Sequence, residues 1–161
     1  MITESLGGST KDYRLHPEKN WECDLADMEA QIDDRTKAIL ITNPSNPTGS
    51  NYSEEHLRGI VAIADRHGLP IIADEIYGGV VFSGTFTPIA SIAGAVPVLS
   101  VGGLAKEFVV PGWRVGWVVM HEQKGGTRLA EVRLTLTLTL TLPLILTLPL
   151  PLTLPLTLTL P

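Results

Sequence analysis

The chain has very little cysteine, few aromatic residues and, over its last stretch, no charge at all. Cys23 is the single cysteine in 161 residues. That excludes an intramolecular disulfide framework and fits a reduced compartment, so a cytoplasmic location is expected. A basic excess is also missing: 12 Lys and Arg stand against 17 Asp and Glu, a formal net charge of −5. No nucleic-acid partner is expected of such a balance. Residues 1–10 hold no apolar run of the signal-peptide kind.

Charge stops at Arg133. From 134 to 161 every even position is Leu, and the odd positions are Thr, Pro or Ile145. Alternation with period two is the strand pattern. Pro143, Pro149, Pro151, Pro155 and Pro161 nevertheless lack the N–H that a central strand must donate. The same prolines and the half-polar alternation argue against a membrane-spanning helix, so no membrane partner is expected. A dipeptide period is also what a short repeated stretch of DNA encodes. Two unlike pieces are therefore expected: residues 1–133 as a folded, acidic α/β region, and 134–161 as a low-complexity Thr/Leu/Pro segment that is not a folded domain.

Strand and helix signals alternate through the first piece. Asp24 is placed to cap a short helix with Leu25, Met28 and Ile32 on its apolar side. Residues 38–42 read as a buried strand ended by Asn43-Pro44. Ser53 then caps a helix carrying Leu57, Ile60, Val61 and Ala64 on one face, with Gly68 as its stop. Residues 69–73 and 96–101 read as further buried strands, and 115–120 as a fourth. Continuous apolar strands separated by helix predict a mostly parallel sheet flanked by helices, with both faces covered. Ligands bind such sheets outside the carboxyl ends of the strands.

The distinctive polar groups fall at those ends. Lys106 follows a strand and the small residues of Gly102-Gly103-Leu104-Ala105; the apolar run 108–110 behind it predicts a pocket in which the amine acts as a nucleophile. Arg114, between Trp113 and Trp117, offers a planar fork for a phosphate. A reactive amine beside a phosphate-binding arginine points to a cofactor with a carbonyl and a phosphate, and pyridoxal 5'-phosphate is the candidate. Asn46, in the loop Asn43-Pro44-Ser45-Asn46-Pro47-Thr48-Gly49, could donate its amide to a phenolic ring oxygen, and Tyr77 could bring its hydroxyl to the same oxygen. Asp74 could hold the ring nitrogen's proton. Each also has a plain structural role open to it: a rigid connection for the loop, a helix cap for Asp74, a core-edge ring for Tyr77. Glu75, Glu107, His56, His67 and His121 read as surface or capping groups. No metal site is expected.

Several stretches carry a family resemblance. They are Tyr13-Arg14-Leu15, Pro17-Glu18-Lys19-Asn20-Trp21, NPSNPTGS from Asn43, ADEIYG from Ala73, GGLAK ending at Lys106, and VPGWRVGW from Val110. Over roughly residues 12–122 the chain resembles the class I/II, fold-type I pyridoxal-phosphate aminotransferases, and among them those acting on aromatic L-amino acids. The resemblance implies that the chain is part of the large domain of such an enzyme. It implies that Lys106 is the Schiff-base lysine, Arg114 a phosphate ligand, Asp74 the partner of the ring nitrogen, and Asn46 and Tyr77 partners of the ring oxygen. It further implies an amino acid and a 2-oxo acid as substrates and a homodimer as the assembly. The family's upstream phosphate loop, stacking aromatic residue and carboxylate-clamping arginine have no counterpart here. The expectation is thus a transaminase impaired or inactive as this fragment. The alternatives are another fold-type I enzyme, a lyase or synthase, or a truncated product without catalysis.

Overall fold

A computed structural model of the chain describes Glu4 and residues 7–122. The repeat segment and the expected boundary at 133/134 lie outside the described residues. Two short strands, β1 (Leu15–His16) and β2 (Glu22–Cys23), form an antiparallel ribbon with Leu15 opposite Cys23. Asp24 then starts α1 (Leu25–Ala30), its carboxylate accepting the Ala26 and Asp27 N–H groups at 3.0 Å each. These are two of the donors that a helix N-terminus leaves without an intrahelical partner. Met28 is buried, whereas Ile32 lies past the end of the helix.

The main sheet is built from β3 (Ile39–Thr42), β4 (Ile71–Asp74), β5 (Val98–Gly103) and β6 (Gly116–His121), in that spatial order. The first two pairings are parallel, as expected; β5 and β6 are antiparallel. The reason lies in the connection. Between β3 and β4 runs the long helix α2 (Glu54–His67), which returns the chain for a parallel pairing. Between β5 and β6 there is only the one-turn helix α3 (Leu104–Glu107) and a short 3₁₀ turn, so the chain doubles back.

Register decides which side chains share a face. Ile39, Ile71 and Val98 lie abreast, as do Ile41 and Ala73. All five are buried, and with Leu57, Ile60, Ile63 and Ala64 of α2 they form the core. Ser53 opens α2 by accepting the His56 N–H at 3.2 Å, and Gly68 closes it at φ 63°, a left-handed conformation that favours glycine. The other face carries Leu40, Ile72, Leu99 and Met120 abreast. Here the expectation of two covered faces fails. Leu40 is 58% and Met120 53% exposed, because no described helix packs over that side near the sheet's edges.

Candidate active site

Each strand end supplies one part of the site. At the end of β3 the ladder continues for one residue, Asn43 donating its N–H to the Asp74 carbonyl at 3.0 Å. Pro44 has no donor, and the chain leaves the sheet. Its loop is closed by the Ser45 N–H on the Ser50 carbonyl at 2.8 Å and the Gly49 N–H on the Ser45 carbonyl at 2.9 Å. Asn46 stands exposed on this loop.

Asp74 is the last residue of β4, between Thr42 and Val101 in register, and is half-buried. Its carboxylate accepts the Ile76 N–H at 3.2 Å, making a turn rather than capping a helix. Two further turn bonds, Gly78 N–H to Glu75 O and Val80 N–H to Tyr77 O, each 2.8 Å, hold Tyr77 just beyond the strand end. There the Asn46 amide donates to the Tyr77 hydroxyl oxygen at 3.4 Å. Lys106, on α3 directly after β5, places Nζ 5.4 Å from the centre of the Tyr77 ring, in the range of a cation–π contact.

Arg114 sits one strand further along, at the start of β6, in a left-handed turn at φ 51°. Its Nη1 donates to the Pro111 carbonyl at 3.4 Å. The sheet ties this turn to α3: the Leu104 N–H reaches the Val115 carbonyl at 3.2 Å, and Gly103 pairs with Gly116. Gly102 lies opposite Trp117, and a Cβ there would come within 2.5 Å of the indole Nε1. Gly102 thus makes room for Trp117, while a Cβ on Gly103 would come within 3.0 Å of the Val115 carbonyl.

Contacts therefore join Asn46, Tyr77 and Lys106; Asp74 ends β4 and Arg114 precedes β6, two strands of the same sheet with β5 between them. One part of the sequence expectation is corrected. Lys106 is exposed, and the run behind it encloses nothing, with Phe108 and Val109 both in solvent. The one-turn helix α3 and the 3₁₀ turn after it bury none of their residues, so among the described residues no pocket forms around the lysine. A cavity of about 850 Å³ lies instead between the Asn46 loop and the segment after Tyr77.

The surrounding charges are ordered by burial. Glu75, half-buried next to Asp74, accepts the Ile89 N–H at 2.9 Å, and burial holds its carboxyl above the usual carboxylate range. Glu75 is thus a capping group, as expected, for the 3₁₀ turn at Ile89–Ser91. His56 is more than a surface group: its Nε2 lies 3.0 Å from Cys23 Sγ and its Nδ1 3.6 Å from the Glu22 carboxylate. Burial pushes the Cys23 thiol up to about 12, so it stays protonated at neutral pH and is no nucleophile.

The polar groups fit the recognition of a substituted pyridine ring. Two donors converge at Asn46 and Tyr77, an acidic group stands at Asp74, and an amine overhangs the tyrosine ring. Asn43, read from the sequence only as the end of a strand, and Asn51, not singled out there, tie the loops together. Their only signal was position, since an asparagine in a proline-rich loop reads as a turn former.

The fold is that of the aminotransferases, an α/β sheet with helices. The chain belongs to the aminotransferase class I and II family, whose sequence profile matches residues 1–145. It is 51% identical over 124 residues to tyrosine aminotransferase from Bos taurus, covering 76% of this chain and 28% of that protein. Among solved structures it is similar to tyrosine aminotransferase from Leishmania infantum, with TM-score 0.72 and 44% identity over 75% of this chain and 33% of that one. Alanine aminotransferase from Pyrococcus furiosus superposes with TM-score 0.78 and 36% identity, over 82% of this chain and 33% of that one. The chain thus spans about a third or less of the proteins it matches.

Proposed function

We propose that this chain carries the cofactor-binding part of an aminotransferase site that takes pyridoxal 5'-phosphate. The reaction would move an amino group from an aromatic L-amino acid to a 2-oxo acid. The observation that carries the proposal is the meeting of three side chains from three strand ends: Asn46 Nδ2 within 3.4 Å of the Tyr77 hydroxyl, and Lys106 Nζ over the same tyrosine ring. The aromatic substrate class rests on the likeness to tyrosine aminotransferases.

Bound pyridoxal phosphate supplies an electron sink for a carbanion at the substrate Cα. The protein's own groups orient and protonate. Asn46 and Tyr77 would donate to the ring oxygen and fix the tilt of the ring. Asp74 would keep the ring nitrogen protonated, which deepens the sink. Lys106 would anchor the cofactor and, once released, carry a proton to and from Cα. Arg114 would meet the phosphate with its planar fork.

The exposure of Lys106 favours a second reading, a chain that holds the cofactor without turning over substrate. Water competes for an open amine, and a solvated site weakens every charge interaction in it. One experiment separates the two. The full chain is mixed with pyridoxal phosphate, and the visible absorption of bound cofactor is followed before and after adding L-tyrosine and 2-oxoglutarate. Absorption that is lost in Lys106→Ala, together with amino transfer, supports the transaminase; absorption without transfer supports the second reading. Equal absorption in the wild type and in Lys106→Ala would overturn both.

A further inference from the structure

We infer that Asn51 is a positioning residue that clamps the loop bearing Asn46 to the segment following Tyr77, and so sets the pair of donors for the cofactor's ring oxygen. The inference rests on the aminotransferase reading for its purpose, but its geometry stands apart from it. Asn43, only 2% exposed, is anchored to the sheet through its N–H on Asp74. Its side-chain oxygen accepts the Tyr52 N–H at 2.8 Å, and its amide donates to Asn51 Oδ1 at 3.4 Å. Asn51 then donates its own amide to the Thr85 carbonyl at 3.1 Å, across 34 positions of sequence.

The placement matters because of what lies between. Asn46 sits in the loop between Asn43 and Asn51, and Tyr77 lies upstream of Thr85 on the other segment. The Asn46–Tyr77 contact and the Asn51–Thr85 bond therefore link the same two segments, and all four residues line one cavity. Asn46 is exposed and its 3.4 Å contact is long, so it has little rigidity of its own. Asn51 has both an acceptor for Asn43 and a donor for Thr85, which is what an amide offers and a carboxylate or an alkyl group does not. Removing it leaves the two segments free to part, and the two donors no longer converge on one acceptor.

The test uses the full chain and two variants. Asn51→Asp keeps the shape and the acceptor for Asn43 while losing the donor; Asn51→Ala loses both. In the cofactor-free protein, hydrogen exchange of amides 79–87 is expected to quicken in both variants while Ile71–Asp74 stays protected. With pyridoxal phosphate, both variants are expected to bind about fivefold more weakly, the effect of one net hydrogen bond. That loss is expected to vanish when the variants are made on Tyr77→Phe, because the donor pair is already broken there. Unchanged exchange at 79–87 would overturn the clamp, and so would a full loss of affinity persisting in the Tyr77→Phe background. If the wild type bound no cofactor, the aminotransferase reading would fall, and the exchange result would still decide the clamp.

Discussion

Cys23 and His56 show how far position changes the chemistry of a residue. A lone cysteine 33 positions from a histidine carries no message in the sequence, yet the fold sets them 3.0 Å apart beside Glu22, with the Tyr52 ring edge-on to the imidazole. Burial is the largest influence on His56 and lowers its pKa, while the Glu22 carboxylate opposes this. A histidine whose pKa is lowered on folding takes up its proton more readily in the unfolded chain. Its penalty is therefore absent above the ordinary imidazole range and grows as pH falls through about 6.5. Urea midpoints measured from pH 7.5 to 5.5 are expected to fall, and more steeply for the wild type than for His56→Gln. Parallel slopes for the two proteins would show that His56 is not responsible. At the same scale, Asn46, Asp74, Tyr77 and Lys106 stand out in the sequence because their residue types are unusual after apolar strands, and Arg114 because it lies between Trp113 and Trp117. Asn51 was not, because its role depends on a carbonyl 34 positions away.

Elements were legible where local chemistry and periodicity agreed. Asp24 and Ser53 cap their helices as the sequence suggests, and Gly68 stops the second. Ser53 does more than cap. Its hydroxyl also donates to the Glu22 carboxylate at 2.8 Å, joining α2 to the β1–β2 ribbon. Ser53→Ala removes both bonds and is expected to cost about 1–2 kcal/mol of stability, read from denaturant unfolding. Ser53→Thr, which keeps the hydroxyl, should recover most of it; equal losses in the two variants would argue against the bonds as the cause. The β1–β2 ribbon left no sequence signal, since two-residue strands show no period. The direction of β6 was equally hidden. Its apolar run predicts a strand, but only the short 104–115 connection and the pairing with β5 make it antiparallel.

At the scale of the whole molecule, the described residues form a sheet with one face packed and the other partly open. Among the described residues β6 pairs on one side only, and Trp117, Val119 and Met120 are all exposed along it. An open, apolar edge strand is a template for association. Met120→Lys is expected to lower concentration-dependent self-association in light scattering without changing the free energy of unfolding by more than about 0.5 kcal/mol, as befits an exposed site. Unaltered association would place the sticky surface elsewhere. No helix of the described residues is long and apolar enough to cross a membrane. The sequence by itself determined the caps, the apolar strands and the kinds of chemical group at their ends, because those depend on neighbours a few residues away. Only the tertiary structure decided that Asn46, Tyr77 and Lys106 meet, that Lys106 is open to solvent and that one sheet face is exposed at its edges, at Leu40 and Met120. Those outcomes depend on register, strand direction and which surfaces find a partner, and no local stretch of sequence encodes them.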